Sequence, residues 1–269
     1  MTRAFASAFL LLSLLPLALA DALPAAALTP AALDNLSVEA KPGTQLPLDL
    51  TFTDETGARR SLGASFGRLP TVLVFVDYTC RTLCGPIVSF AAAGLAASGL
   101  TPGRDFRLVL LGINPSDGPD TARRLKESRI DPASPIYRAT VALSGDEVTI
   151  RAITTAANYP FVYDATHDQY AHPAVVFVLT AGGRITRVLS GLGLDGTDLR
   201  LALVEAGQGR TGSIIDRIHL LCYGFDPIRG IYTSMIARTL DAAAATTFGI
   251  LVAGIVVLVL RSRRTDRPA

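Results

Sequence analysis

Between Gly43 and Gly207 the chain alternates apolar runs with stretches in which apolar residues recur at helical spacing. Thr71-Val72-Leu73-Val74-Phe75-Val76 stays apolar after its first position, as a strand buried on both faces requires. Phe106 to Ile113, "FRLVLLGI", is a second such run, and Ala174 to Thr180, "AVVFVLT", is a third. After the third, Gly182-Gly183 turns the chain into "RITRVLSG", which predicts a hairpin. Helices are predicted over Pro86 to Ala97, over Asp117 to Glu127, and over Thr197 to Ala206. A further helix follows Ser144-Gly145-Asp146-Glu147, which reads as a capping box.

Strand, helix, strand, helix, hairpin and last helix is the order of an α/β thioredoxin-like sandwich, and the pattern assigns it residues 43–207. Two short strands, near Leu46 to Phe52 and around Val141, fit the edges of its sheet.

The ends of the chain follow other rules. Arg3, the apolar run Phe9 to Leu19 and the small-residue site Ala18-Leu19-Ala20 predict a signal peptide over residues 1–20, removed before Asp21. Residues 21–42 read as a linker and residues 208–240 as a juxtamembrane segment. From Ala242 to Leu260 no residue is charged, and Arg261, Arg263 and Arg264 follow at once. A transmembrane helix over 241–261 and a cytoplasmic tail over 262–269 are expected, with everything before the span outside the cytoplasm. The formal charge of +2 is small and the arginines are scattered, so nucleic acid is not an expected partner.

The chain has three cysteines and three histidines. Cys80 and Cys84, in "VDYTCRTLCGP", fall where a buried strand hands over to a helix. Free N–H groups and a partial positive charge at that point favour thiolate over thiol. Thiolates attack disulfides and also ligate soft metals, so location leaves a redox pair, a metal pair and a structural disulfide all open. Thioredoxin-type enzymes place two residues between their cysteines; Arg81, Thr82 and Leu83 make three here. An i,i+4 spacing would put both sulfurs on one face of the first helical turn, where a metal would need a further ligand such as histidine. His167 and His172 lie just before the predicted hairpin, in a loop expected to approach the start of the Cys84 helix. His219 and Cys222 lie beyond the domain, near the predicted span, three apart and so on one face of a helix.

The strand–C-x3-C–helix unit, "LLGINPSDGPDTARRLK" at 110–126 and "AHPAVVFVLTAGGRI" at 171–185 together resemble the SCO/SenC family. The resemblance spans roughly residues 40–207. It implies a membrane-anchored, thioredoxin-like copper chaperone for assembly of the copper centre of a respiratory cytochrome oxidase. It carries over Cys80, Cys84 and His172 as ligands of a copper ion, Cu(I) or Cu(II), and leaves His167 unmatched. Arg81-Thr82-Leu83 stands where the family has Pro-Asp-x, and Ala171 replaces the Asp before the distal histidine. The implied partners are the oxidase's copper-bearing subunit, other periplasmic copper chaperones or thioredoxin-like reductants, and membrane lipid. The implied setting is the inner membrane, single-pass, with the domain in the periplasm. The alternative is a membrane-tethered thiol–disulfide oxidoreductase, with Cys80 attacking and Cys84 resolving. That reading does not need His172, which is the residue that discriminates the two.

Overall fold

Apolar runs become the middle of one sheet. The computed structural model describes residues 38, 41–207, 223–226, 231–234 and 244–256. The elements run β1 (Thr51–Asp54), β2 (Arg59–Ser61), α1 (Leu62–Phe66), β3 (Thr71–Val76), α2 (Cys84–Ala97), β4 (Arg107–Gly112), α3 (Pro119–Arg129), α4 (Pro135–Arg138), β5 (Thr140–Ser144), α5 (Glu147–Ala156), β6 (Val162–Asp164), β7 (Gln169–Ala171), β8 (Val175–Leu179), β9 (Ile185–Ser190) and α6 (Gly196–Ala206). Seven strands pair in the order β2-β1-β5-β4-β3-β8-β9. β3, β4 and β5 are parallel, whereas β8 runs antiparallel to β3.

Alternation along the central strands divides the interior into two cores. Val72, Val74 and Val76 of β3, Leu108 and Leu110 of β4, and Val176 and Val178 of β8 pack with α2 and α6. Leu73 and Phe75, Val109 and Leu111, and Phe177 and Leu179 point the other way, onto α1 and α5. Both faces of the sheet are therefore covered, which is why these strands carry no polar alternation.

Several expectations need correction. The segment around Val141 became β5, which lies inside the sheet because β1 and β2 pair beyond it. Ser144 does not cap α5. It ends β5 opposite Thr53, and Asp146 is the N-cap, its side chain accepting from Thr149 N. The first cysteine helix begins at Cys84 rather than Pro86, since proline is tolerated in a first turn whose amides have no intrahelical partner. The small β6–β7 hairpin and the short helices α1 and α4 were not anticipated.

Strands β10 (Tyr223–Asp226) and β11 (Ile231–Ser234) form an antiparallel pair of their own. Residues 244–256 are helical and exposed, and among the described residues no helix is long and apolar enough to cross a membrane. The rest of the expected span at 241–261 lies outside the described residues, as do the expected signal peptide, His219, Cys222 and most of the 21–42 linker.

Two glycines hold the layers in place. Gly183 takes φ +78 in the β8–β9 turn, a conformation that L side chains rarely adopt. Gly196, at the start of α6, brings that helix onto the end of α2: a Cβ there would lie 2.9 Å from the carbonyl carbon and the Cβ of Ala97. Backbone cannot yield as a side chain can, so Gly196→Ala should destabilise the fold by about 1–3 kcal/mol through overpacking, read as a lowered midpoint in chemical denaturation.

Candidate functional site

Topology brings the site together. The parallel strands β3 and β4 deliver their following loops to one end of the sheet, the end at which α/β proteins bind ligands. β8 runs the opposite way, with Leu73 opposite Phe177 and Thr71 opposite Leu179. The residues just before β8 therefore arrive beside the loop that follows β3. His172 arrives there from strand register, not from proximity in sequence.

Cys80 sits in the β3–α2 loop and Cys84 is the first residue of α2. The cysteines thus do not share a helical face as expected; one is before the helix and one on it. Both are free thiols, Cys84 buried and Cys80 partly exposed. Cys84 Sγ lies 3.0 Å from His172 Nε2. On the far side of the ring, His172 Nδ1 is 2.6 Å from the Tyr159 hydroxyl and 3.1 Å from the Pro173 carbonyl oxygen. The Tyr159 hydroxyl also donates to that carbonyl at 2.9 Å. Burial pushes the imidazole towards its neutral form.

The two sulfurs are electrostatically unlike. Leu83, the N-cap of α2, offers no side-chain acceptor, and the Cys80 sulfur takes the amide of Cys84, the first helical residue. It accepts first from the Cys84 thiol, then from the Thr82 hydroxyl and the amides of Cys84 and Thr82, which together hold Cys80 down to about 4 despite its partial burial. Cys84 moves the other way: its hydrogen bond to Cys80 and its burial keep the proton on. At neutral pH the pair is a thiolate beside a thiol. Cys80 Sγ also lies 3.3 Å from Thr82 Oγ1.

Asp77 ties the two loops together. Its carboxylate is fully buried; Oδ1 accepts from Thr79 N at 3.0 Å and Thr79 Oγ1 at 2.8 Å, and Oδ2 accepts from Tyr170 N at 3.0 Å. One group thus fixes the cysteine loop and the strand that leads into His172. Asp117, on the β4–α3 loop, accepts from Tyr78 N through Oδ2, and burial raises its carboxyl to about 6.

His167 does not join the sulfurs. Its Nδ1 is paired with Asp164 Oδ2 at 2.6 Å and its side chain is 62% exposed. With Arg81, Asn114 and Tyr170 it lines an open polar cleft of about 590 Å3 beside the cysteine loop. Among the described residues no three His, Cys, Asp or Glu side chains already converge on a common point for a metal ion. Cys84 and His172 are in contact; Cys80 lies against Cys84 with Thr82 as its other partner. Tyr159 and Asp77 are the functional neighbours that sequence reasoning missed: Tyr159 stands in no motif, and Asp77, although inside VDYTCRTLCGP, shows nothing there of the donors it meets.

No family model and no curated protein matches the sequence. Similar solved structures include a proposed electron transfer protein from Aquifex aeolicus VF5, at 22% identity over 65% of this chain and 98% of that one, with a TM-score of 0.55. BsSco, a member of the Sco family of cytochrome c oxidase assembly proteins in which a disulfide switch is identified, aligns at 16% identity over 63% of this chain and 97% of that one, with a TM-score of 0.51. Arabidopsis thaliana ScoI with copper bound aligns at 14% over 62% and 99%, with a TM-score of 0.50. What is shared at these identities is the thioredoxin-like fold.

Two measurements check the site's electrostatics and its tether. Iodoacetamide should alkylate Cys80 and spare Cys84 from about pH 5 to about pH 7 at a nearly constant rate. The rate should fall as pH drops through about 4, where the Cys80 thiolate takes up its proton. In Cys84→Ala, which removes the largest cause of that shift, the fall should move to higher pH. Asp77→Asn places an NH2 against an N–H donor in one of the two loops, and should cost about 1.5–3 kcal/mol in denaturant unfolding.

Proposed function

We propose that this chain is a copper-binding protein of the Sco/SenC family, acting in assembly of the copper centre of a respiratory cytochrome oxidase. Residues 241–261 would tether it to the inner membrane with residues 43–207 in the periplasm. The observation that carries this reading is the 3.0 Å approach of Cys84 Sγ to His172 Nε2, four residues beyond Cys80, on a fold shared with copper-bound ScoI.

The donor set fits the ion. Two sulfurs are soft ligands suited to Cu(I), and an imidazole nitrogen also admits Cu(II). The ligands would be Cys80, Cys84 and His172, with Cys80 turning away from Thr82 to join the other two. Copper is cargo here, passed by ligand exchange to the oxidase's copper-bearing subunit. Cys80 is the donor a partner can reach, because Cys84 lies buried behind it. Oxidation of the pair to a disulfide would remove both sulfur donors and abolish loading.

The unlike sulfurs favour a second reading, a thiol–disulfide oxidoreductase. The Cys80 thiolate would attack a client disulfide, forming a mixed disulfide and releasing one client thiolate. Cys84, giving up its proton, would then attack the Cys80 sulfur and release the second client thiol, so that two electrons pass to the client and a Cys80–Cys84 disulfide remains. A thioredoxin-like reductant would restore the pair. Such chemistry does not need His172, but the contact with Cys84 would put the imidazole within reach of that thiol's proton.

Reduced full-length protein in detergent, loaded with copper under anaerobic conditions, tests the choice. About one copper per chain, with a thiolate-to-Cu(II) charge-transfer band lost in both His172→Ala and Cys80→Ser, is the expected result. Weak binding, or binding equally strong without His172, leaves the thiol–disulfide reading in its place.

A further inference from the structure

We propose that Tyr159 is the positioning residue that fixes His172 as its Nδ1–H tautomer, presenting a bare Nε2 to the Cys84 sulfur. The argument is one of donors and acceptors. The Pro173 carbonyl can only accept, and it lies 2.9 Å from the Tyr159 hydroxyl and 3.1 Å from His172 Nδ1. A bare Nδ1 would turn a lone pair towards that oxygen, whereas a protonated one completes a closed set: Nδ1–H donates to the Tyr159 oxygen, and the Tyr159 O–H donates to Pro173. Nε2 is then left without a proton, 3.0 Å from Cys84 Sγ, as a second acceptor for the one S–H that Cys84 also turns to Cys80.

Tyr159 is itself held rigidly. It is 3% exposed, its ring stacks on Phe75 at 4.5 Å between centroids and meets Phe177 edge-on at 5.9 Å. Asn158, with φ +49, turns the chain at the end of α5 and sends Tyr159 inward. The hydroxyl is thus anchored through the sheet rather than through the loop that carries His172. Partners of this kind commonly set the tautomer and orientation of a ligating histidine. The tautomer assignment concerns the metal-free protein and is independent of the copper reading; only the affinity readout below rests on that reading.

The test uses the full-length chain in detergent, with 15N in the histidine rings, near pH 8, where the imidazole is neutral. With three histidines in the chain, His172→Gln assigns the third ring. Wild type should show His172 protonated at Nδ1 and bare at Nε2. Tyr159→Phe keeps the ring stack, and should convert His172 to an averaged or Nε2–H pattern while leaving His167 and His219 unchanged. Copper affinity should fall about 10- to 100-fold in that variant. Nε2–H in wild type, or an unchanged His172 pattern in Tyr159→Phe, overturns the inference. Should the variant fail to fold, the wild-type spectrum alone still decides. A shifted tautomer in a protein that takes up no copper sustains the inference and removes the copper reading instead.

Discussion

Everything at the active end of the sheet depends on one buried carboxylate. Asp77 stands one residue past β3 and is fully shielded, yet it accepts from three donors. A buried carboxyl group is tolerable only when its oxygens find donors, and here the donors come from the two loops that must be held together. Tyr170 N–H comes from the strand leading to His172; Thr79 comes from the loop leading to Cys80. Neither loop could relax alone without leaving a buried carboxyl oxygen short of a donor. The site is thus rigid because the cost of burial is shared across it, not because either loop is intrinsically stiff.

The asymmetry of the two sulfurs follows from the same local economy of donors. Helix α2 starts without a capping side chain at Leu83, so its first amides need an acceptor. Cys80 supplies one from just outside the helix, and the negative charge it takes on is favoured by the amides it satisfies. Cys84, on the helix itself, keeps its proton because its bond to Cys80 and its burial outweigh the one backbone hydrogen bond, at Asp77, that favours its thiolate. A chain with two intervening residues would place the first sulfur differently against that first turn. Three residues, two of them contributing Thr82 and the capping Leu83, let Cys80 fold back onto the helix start.

Much of this was legible in the sequence, and the rest was hidden for definable reasons. Thr71 to Val76, Phe106 to Ile113 and Ala174 to Thr180 announced the central strands because burial on both faces leaves an unmistakable apolar run. The Gly182-Gly183 turn, and the meeting of the loop before β8 with the cysteines, followed from topology. Strand order at the margin did not, since a short segment such as Thr140 to Ser144 carries no mark of whether another strand will pair beyond it. The helix was bounded at Pro86 rather than Cys84 because proline looked like a first helical residue, and Cys80 was put on the same turn as Cys84 because the spacing alone does not show where the loop ends. Tyr159 and Asp77 were invisible for a deeper reason: apolar periodicity reports which residues are buried, but not which carbonyl or amide a buried polar atom will meet.

The β6–β7 hairpin is tied to the cysteine loop through β7, where Tyr170 N donates to Asp77, and its turn is braced on β6, where Tyr163 donates to Asp168 and His167 pairs with Asp164. Residues 165–168 form the tip, and none of them touches the sulfurs or His172 ring in the described contacts. The consequence is a division of labour that sequence drift could exploit. Length and charge at the tip, which shape the cleft beside Arg81, can change from one lineage to another while the imidazole stays put. A rim that faces other molecules would then be free to diversify around a chemical centre that cannot.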